Sequence, residues 1–306
     1  MQSNGGGEAL LGAILLRSVD RSRGDHSVGG LHSERRATAI FAATMASRTF
    51  SKWQGTGNDF ILFDDRDGRF PADDLQLVRR LCDRHFGIGS DGLVLMQAPR
   101  SAGTAYHMEF FNPDGSRSFC GNGSRCAFAY WGRLIGERTS ARFTAIDGEH
   151  AAEWIGDEVA ITLASVSGVQ HDPRDQRVDF IHNGSPHELV HVEDPDQVAI
   201  MVAGPERRYA AKHAPGGTNV NFLRVTDGVV RMRTYERGVE AETLSCGTGV
   251  VAAALSALAR GEAKAPVTVV TRGGTLRVEA KKEGEGFAGI RLIGPVGEVF
   301  TGTTNL

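Results

Sequence analysis

Cysteine is scarce, with four residues at 82, 120, 126 and 246 of a 306-residue chain. That is too few and too scattered for a disulfide scaffold in a chain long enough to bury its own core, and it fits a reducing, cytoplasmic compartment. Proline is scarce too, at 10 residues, which excludes proline-rich linkers and fibrous repeats. Charge of one sign is missing: 34 basic residues against 37 acidic ones leave a net charge of −3. No global basic surface exists to hold nucleic acid or anionic lipid. Long apolar runs are absent as well, since none approaches the ~20 residues that span a bilayer. The longest early one, Ala9 to Leu16, follows MQSNGGGE, which lacks the basic stretch of a signal peptide. What remains is an ordinary globular composition, 41% hydrophobic and 23% charged, at a length suited to about two domains. The partner this leaves is a small molecule.

Residues 1 to 47 show no clear periodicity and read as a disordered extension, with a transit peptide as the competing reading, weakened by four acids. Met45 stands just before the first strand-like segment, Thr49 to Trp53. From there short β-type runs recur, including FILFD at 60 to 64, LVLM at 93 to 96, AYHMEFF at 105 to 111, VAITL at 159 to 163 and VNFLRV at 220 to 225. Further runs follow at VVRMRTY, VTVVT, TLRVEA and IRLIG, separated by Asp-Gly, Asn-Gly and Gly-Gly turns. Helical patterns are few: Asp73 to His85, Gly123 to Leu134, Asp194 to Ala203 and Gly249 to Arg260. The chain reads as α+β with mostly antiparallel pairing.

Two of these helices differ from surface helices. Val250 to Leu258, VVAAALSAL, is apolar on every side and built of small residues, which predicts a helix wrapped by a sheet. Gly123 to Leu134 is its counterpart. Both begin with the same sequence type, Cys120-Gly121-Asn122-Gly123 and Cys246-Gly247-Thr248-Gly249, an internal repeat at two helix heads. The first N–H groups of a helix lack intrahelical partners and the dipole is positive there, so a carboxylate is favoured. A thiol in that field is expected to have its pKa lowered toward neutrality. Two matched heads packed about a pseudo-twofold axis would place two sulfurs across one cleft, on opposite faces of a bound α-carbon.

From about Phe50 to Leu306 the sequence resembles the diaminopimelate epimerase family. The segments that carry the resemblance are KWQGTGNDFILFD at 52 to 64, DRHFGIGSDGLVLM at 83 to 96, FNPDGSRSFCGNGSRC at 111 to 126, GSPH at 184 to 187, TNVNF at 218 to 222 and YERGVEAETLSCGTG at 235 to 249. The resemblance implies interconversion of L,L- and meso-2,6-diaminopimelate, a step of lysine biosynthesis, without pyridoxal phosphate, metal or other cofactor. Cys120 and Cys246 would be acid and base, and the backbone of Gly121, Asn122, Gly247 and Thr248 would hold the α-carboxylate. Asn58, Asn112, Ser185, Asn219, Glu236 and Arg237 would hold the distal end, with Arg suited to a carboxylate and Glu to an ammonium. His187 and Glu236 would tune a thiol. Two positions depart from the family pattern: many members carry Asn where this chain has Ser185, and some carry Gln at Gly92. The implied fold is a pair of pseudosymmetric domains, each a mostly antiparallel sheet curled round a central helix. Their limits would be 48–165 plus 294–306 for the first and 166–293 for the second, in a chain that forms a homodimer.

Two rival readings stand beside this one. Proline racemases and hydroxyproline epimerases also use two cysteines, but typically have His where this chain has Asn122 and need no distal Glu236–Arg237 pair. A non-catalytic thiol or metal module would use Cys120, Cys126 and the histidines of HELVH, His187 to His191. That zinc-type pattern needs a helix, whereas Pro186 and LVHV argue for a strand. Gly87 to Gly92, GIGSDG, satisfies a dinucleotide pattern yet follows a helix and opens a strand, so it reads as a turn. Cys82 and Cys126 read as small core fillers.

Overall fold

A computed structural model describes residues 47–306; the extension expected before them lies outside the described residues, and Ser47 already belongs to the first strand. Its order begins with β1 (Ser47–Gly55), β2 (Asn58–Asp65), α1 (Leu75–Cys82), β3 (Gly92–Gln97), β4 (Tyr106–Phe111), α2 (Gly121–Ile135), β5 (Ala141–Ala145), β6 (Gly148–Ile155) and β7 (Glu158–Thr162). A two-residue β8 (Gln170–His171) precedes β9 (Val178–His182), β10 (Pro186–His191), α3 (Ile200–Arg208), β11 (Asn219–Thr226), β12 (Val229–Glu236), β13 (Ala241–Thr243) and α4 (Gly247–Ala259). The chain ends with β14 (Val267–Thr271), β15 (Gly274–Glu283), β16 (Gly286–Gly294) and β17 (Gly297–Asn305). Among the described residues no helix is long and apolar enough to cross a membrane.

Strand pairing writes the same sentence twice. β1 and β2 pair antiparallel, β2 and β3 parallel, β3 and β4 antiparallel, β4 and β5 parallel, and β5, β6 and β7 follow as an antiparallel meander. From β9 onward the series repeats: β9–β10 antiparallel, β10–β11 parallel, β11–β12 antiparallel, β12–β14 parallel, then β14, β15 and β16 antiparallel. In each half the second parallel step needs a crossover, and α2 and α4 supply it. The halves join where β7 pairs with β16. Even the outermost strands correspond, because β8 pairs with β9 as β17 pairs with β1.

Each crossover helix is enclosed by its own half. α2 packs against β1, β2, β3, β4 and β7, and α4 against strands from β9 to β16. Small residues permit this: Val250 to Ala257 of α4 are all buried, as are Cys126 to Tyr130 of α2. Cys126 fills that core and Cys82 a smaller one under α1, beside Leu77, Val78 and Leu81. α2 stops at Gly136, which takes the left-handed conformation at φ 75° and returns its N–H to the Arg133 carbonyl. The helix expected at Asp194 to Ala203 starts later. Asp194 accepts from the Asp196 N–H and closes one 3-10 turn over Pro195–Gln197, Val198 is extended, and α3 begins only at Ile200. HELVH is strand throughout, in β10.

A helix buried on every side has no face that tolerates added volume. Ala253→Leu, at the centre of α4, is expected to cost about 1–3 kcal/mol through overpacking. Chemical denaturation followed by circular dichroism measures it; an unchanged midpoint would mean that α4 has an open side.

Candidate active site

Cys120 and Cys246 are the N-caps of α2 and α4, both in extended backbone conformation. The Cys120 sulfur accepts from the Gly123 N–H at 3.4 Å, and the Cys246 sulfur lies 3.6 Å from the Thr248 hydroxyl. The two heads touch. A Cβ at Gly247 would stand 3.3 Å from Asn122 Oδ1 and 3.4 Å from its backbone nitrogen, a tight fit that glycine relieves. Gly249 is tighter still, since a Cβ there would meet Asn221 Oδ1 at 2.6 Å. The Asn122 amide bonds across the junction, donating from Nδ2 to the Ser245 carbonyl at 3.1 Å and to Asn58 Oδ1 at 3.3 Å. Asn58 in turn donates to Asp91 at 2.7 Å.

Burial overturns the expectation of depressed thiol pKa values. It pushes Cys120 up to about 12, with the nearby Glu236 carboxylate adding to the rise while the Gly123 N–H and Arg125 oppose it. Cys246 goes up further, from burial first and Glu236 second. Magnitudes explain the outcome: a helix N-terminus contributes about 0.3–2 kcal/mol, whereas loss of solvent shifts a pKa by up to about 3–5 units, each worth about 1.4 kcal/mol, and it raises even Cys120, the least buried of the four cysteines. Both sulfurs are therefore thiols in the free protein.

Glu236, at the end of β12, accepts from the Thr243 hydroxyl at 2.7 Å and lies beside the Cys246 thiol; burial lifts its carboxyl from 4.5 to about 7. The neighbouring Arg237 is exposed, and among the described residues its guanidinium makes no ion pair or hydrogen bond. Its backbone N–H donates to Asn219 Oδ1 at 2.9 Å, while Asn219 Nδ2 donates to the Pro186 carbonyl at 3.0 Å. Asn219 thus ties the loop carrying Ser185 to the loop carrying Arg237. Asn112 spends its amide inside its own turn, on Ser116 and Ser118. The buried His187 makes no hydrogen bond to either sulfur. Its Nδ1 meets Asn221 Nδ2 at 3.2 Å, its Nε2 is buried without a partner among the described residues, and burial drives its pKa down to about 3, so the ring is neutral; Asn221 links it to the α4 head.

Several neighbours of the two heads were not read from the sequence. Asn183 donates to the Thr248 carbonyl at 2.8 Å and leaves its own Oδ1 buried without a partner. Thr56 and Ser245 share a hydrogen bond of 3.2 Å between hydroxyls, and Arg125 lies behind both. Only the adjacency of Ser245 and Arg125 to the paired motifs hinted at them. His191, the other histidine of HELVH, points away to Asp179 and Ser256. Among the described residues no three His, Cys, Asp or Glu side chains converge on a metal position.

Comparison with known proteins agrees with this geometry. The sequence model described as diaminopimelate epimerase matches residues 50–166 and 180–297, one stretch per half. A diaminopimelate epimerase of Flavobacterium psychrophilum is 39% identical over 255 residues, covering 82% of this chain and 98% of that one. The enzyme of the same name from Aquifex aeolicus is 39% identical over 275 residues, covering 83% and 96%. In fold alone, a hydroxyproline epimerase from Agrobacterium vitis is similar with a TM-score of 0.64 at 17% identity, over 85% of this chain and 93% of that one. A Bacillus anthracis phenazine biosynthesis protein of the PhzF family has a TM-score of 0.67 at 13% identity, covering 86% and 100%. With the family model spanning both halves and relatives this similar over nearly their whole length, the chain belongs to the diaminopimelate epimerase family.

Proposed function

We propose that this chain interconverts L,L- and meso-diaminopimelate with Cys120 and Cys246 as the two proton carriers. The observation that carries the reading is the contact between two cysteine-capped helix heads, Gly247 against Asn122. A substrate α-carboxylate bound by the N–H groups of Gly121, Asn122, Gly247 and Thr248 receives two helix N-termini at once. Its α-carbon then lies between the sulfurs. A thiolate on one face removes the α-proton, the electron pair delocalises into the carboxylate, and the thiol on the other face delivers a proton, which inverts the centre. Because burial raises both thiols, the thiolate is a minor form in the free protein and is favoured once substrate is in place. The ammonium groups brought beside Glu236 and the sulfurs favour it by direct attraction.

The distal end, in this reading, meets Arg237 through its carboxylate and Glu236 through its ammonium, with Asn58 and Ser185 adding hydrogen bonds. Asn219 acts by holding the backbones of Arg237 and Pro186, and Asn112 by shaping the loop before Cys120. His187 supports the α4 head through Asn221. The two stretches matched by the family and the pairing of β17 with β1 support domain limits of 48–165 plus 294–306 and 166–293. β17 also supports a homodimer. Its outer edge is unpaired among the described residues and Val299 and Phe300 are 56% and 47% exposed, a surface that single chains rarely leave open. Sedimentation equilibrium returning a monomer would overturn that assembly. A cytoplasmic location, consistent with the four free thiols, is tested by cell fractionation.

Neither cysteine is dispensable in either direction of inversion, so Cys120→Ala and Cys246→Ala are each expected to abolish net epimerisation. Each variant keeps one base, and in D₂O that base exchanges the α-hydrogen only of the epimer that presents it. Deuterium incorporation into the two epimers, read by NMR, should therefore show opposite preferences in the two variants. Substantial inversion by either variant alone refutes the assignment.

Glu236 generates a pH prediction. Its folded pKa of about 7 lies above the ordinary 4.5, so the native state holds the proton more tightly than the unfolded chain. The stability this confers is fully present below pH 4.5 and is lost as pH rises toward 7, by on the order of 3 kcal/mol. Glu236→Gln should remove that decline, so its melting temperature should gain on wild type between pH 4.5 and 7.5. Parallel melting curves across that range would place the carboxylate in ordinary water.

A further inference from the structure

Arg125 is the largest side chain with no exposure to solvent. It lies in the second turn of α2, close to the positive end of the helix dipole, and among the described residues it has no carboxylate within ion-pair distance. Both placements are unfavourable to a cation. Its guanidinium donates from NH1 to Asn122 Oδ1 at 2.8 Å and from NH2 to Thr56 Oγ1 at 3.3 Å, and its Nε has no partner. Room for it comes from two glycines. A Cβ at Gly55 would lie 3.2 Å from NH2, and one at Gly294 would lie 3.5 Å from Cζ.

Both hydrogen-bond partners of Arg125 face the same target. Asn122, with its Oδ1 fixed by the guanidinium, must turn Nδ2 toward the Ser245 carbonyl, and the Thr56 hydroxyl, which donates to the Gly55 carbonyl at 2.7 Å, lies 3.2 Å from the Ser245 hydroxyl. Ser245 immediately precedes Cys246. Thr56 holds its hydroxyl there at φ 55°, a left-handed conformation that β-branched residues rarely adopt. The guanidinium is thus one contact removed from both helix heads.

We propose that Arg125 is a positioning residue whose counter-ion arrives with the reaction: a fixed positive charge that favours the Cys120 thiolate and the bound α-carboxylate, and a lock on the amide that clamps the second head. This deepens the reading of Cys120 and Cys246 as proton carriers and rests on it. The charges that face the pair are few. Cys120 feels Glu236 from β12 raising its pKa and Arg125 lowering it. Arg125 is itself lowered to about 10 by burial, opposed by Cys126, Cys120 and the more weakly felt Glu158, which is already paired with Arg277. Among the described residues no carboxylate pairs with Arg125, and the anions that come to it with the reaction are the thiolate and the substrate carboxylate.

The test uses thiol reactivity, which needs no diaminopimelate. Iodoacetamide labelling of Cys120, half-buried where Cys82 and Cys126 are fully enclosed, is followed by peptide mass spectrometry at pH 9. Arg125→Met, of similar length and uncharged, should slow labelling about tenfold, equivalent to a rise of about one pKa unit. Its melting temperature reports the loss of the donor to Asn122 Oδ1 and is read apart from the labelling rate. Arg125→Lys should keep labelling within about twofold, and Arg125→Gln, which retains a donor for Asn122, covers a Met variant that fails to fold. Wild-type labelling rates in whichever neutral variant folds, or a Lys variant as slow as the neutral ones, would overturn the proposal. A wild-type protein that leaves diaminopimelate unchanged would overturn the reading of the reaction instead, and the labelling result is judged separately.

Discussion

Two helix N-termini held head to head are an electrostatic demand that the rest of the molecule is built around. Each end carries unpaired N–H groups and about half a positive charge, so bringing them together costs free energy unless something negative sits between them. Among the described residues the carboxyl felt by both sulfurs is Glu236, and burial lifts it to about 7. The covalent fold supplies a close approach eased by glycine, Gly247 against Asn122, and a clamp from Asn122 to the Ser245 carbonyl. The repeated strand order explains how both helices arrive at the same place, since each is the crossover between parallel strands in a half that mirrors the other.

Enclosure then changes the chemistry of whatever stands at those ends. In water a helix head would draw a thiol toward its thiolate; here the loss of solvent outweighs the dipole, and both cysteines hold their protons. The same enclosure brings Glu236 to near neutrality and strips His187 of its proton. While empty, such a site holds its sulfurs protonated and, among the described residues, its Arg125 cation without a paired carboxylate. Its electrostatics are completed by the ligand, which fits an amino acid bearing both a carboxylate and an ammonium.

Much of this was legible in the residues. VVAAALSAL announced a helix with no wet face, and the two Cys-Gly-x-Gly heads announced the pseudosymmetry, because both features are local. What failed was whatever depended on neighbours distant in sequence. ARFTA and GEHAAEWI mix polar and apolar residues too evenly to stand out, yet they form β5 and β6 once β4 and β7 flank them. Asn112 carries a site residue's identity and a turn residue's hydrogen bonds. The thiol pKa was misjudged because burial, which decides it, is a tertiary property. Arg125, in a polar-looking Ser-Arg-Cys, gives no sequence sign that it is the most enclosed large side chain.

The pairing of β1 with β17 sets Ser47 opposite Asn305, the beginning of the described chain against its end. On a ribosome the chain emerges in order, and domains near the N-terminus generally fold first. Here the half that emerges first cannot finish, since the strand that closes it is made only after the whole of the second half. The later half has no such wait, as β8 is already at hand when β9 appears. Until β17 has been made, β1 presents a bare sheet edge, and the arrival of β17 is the event that seals the first half.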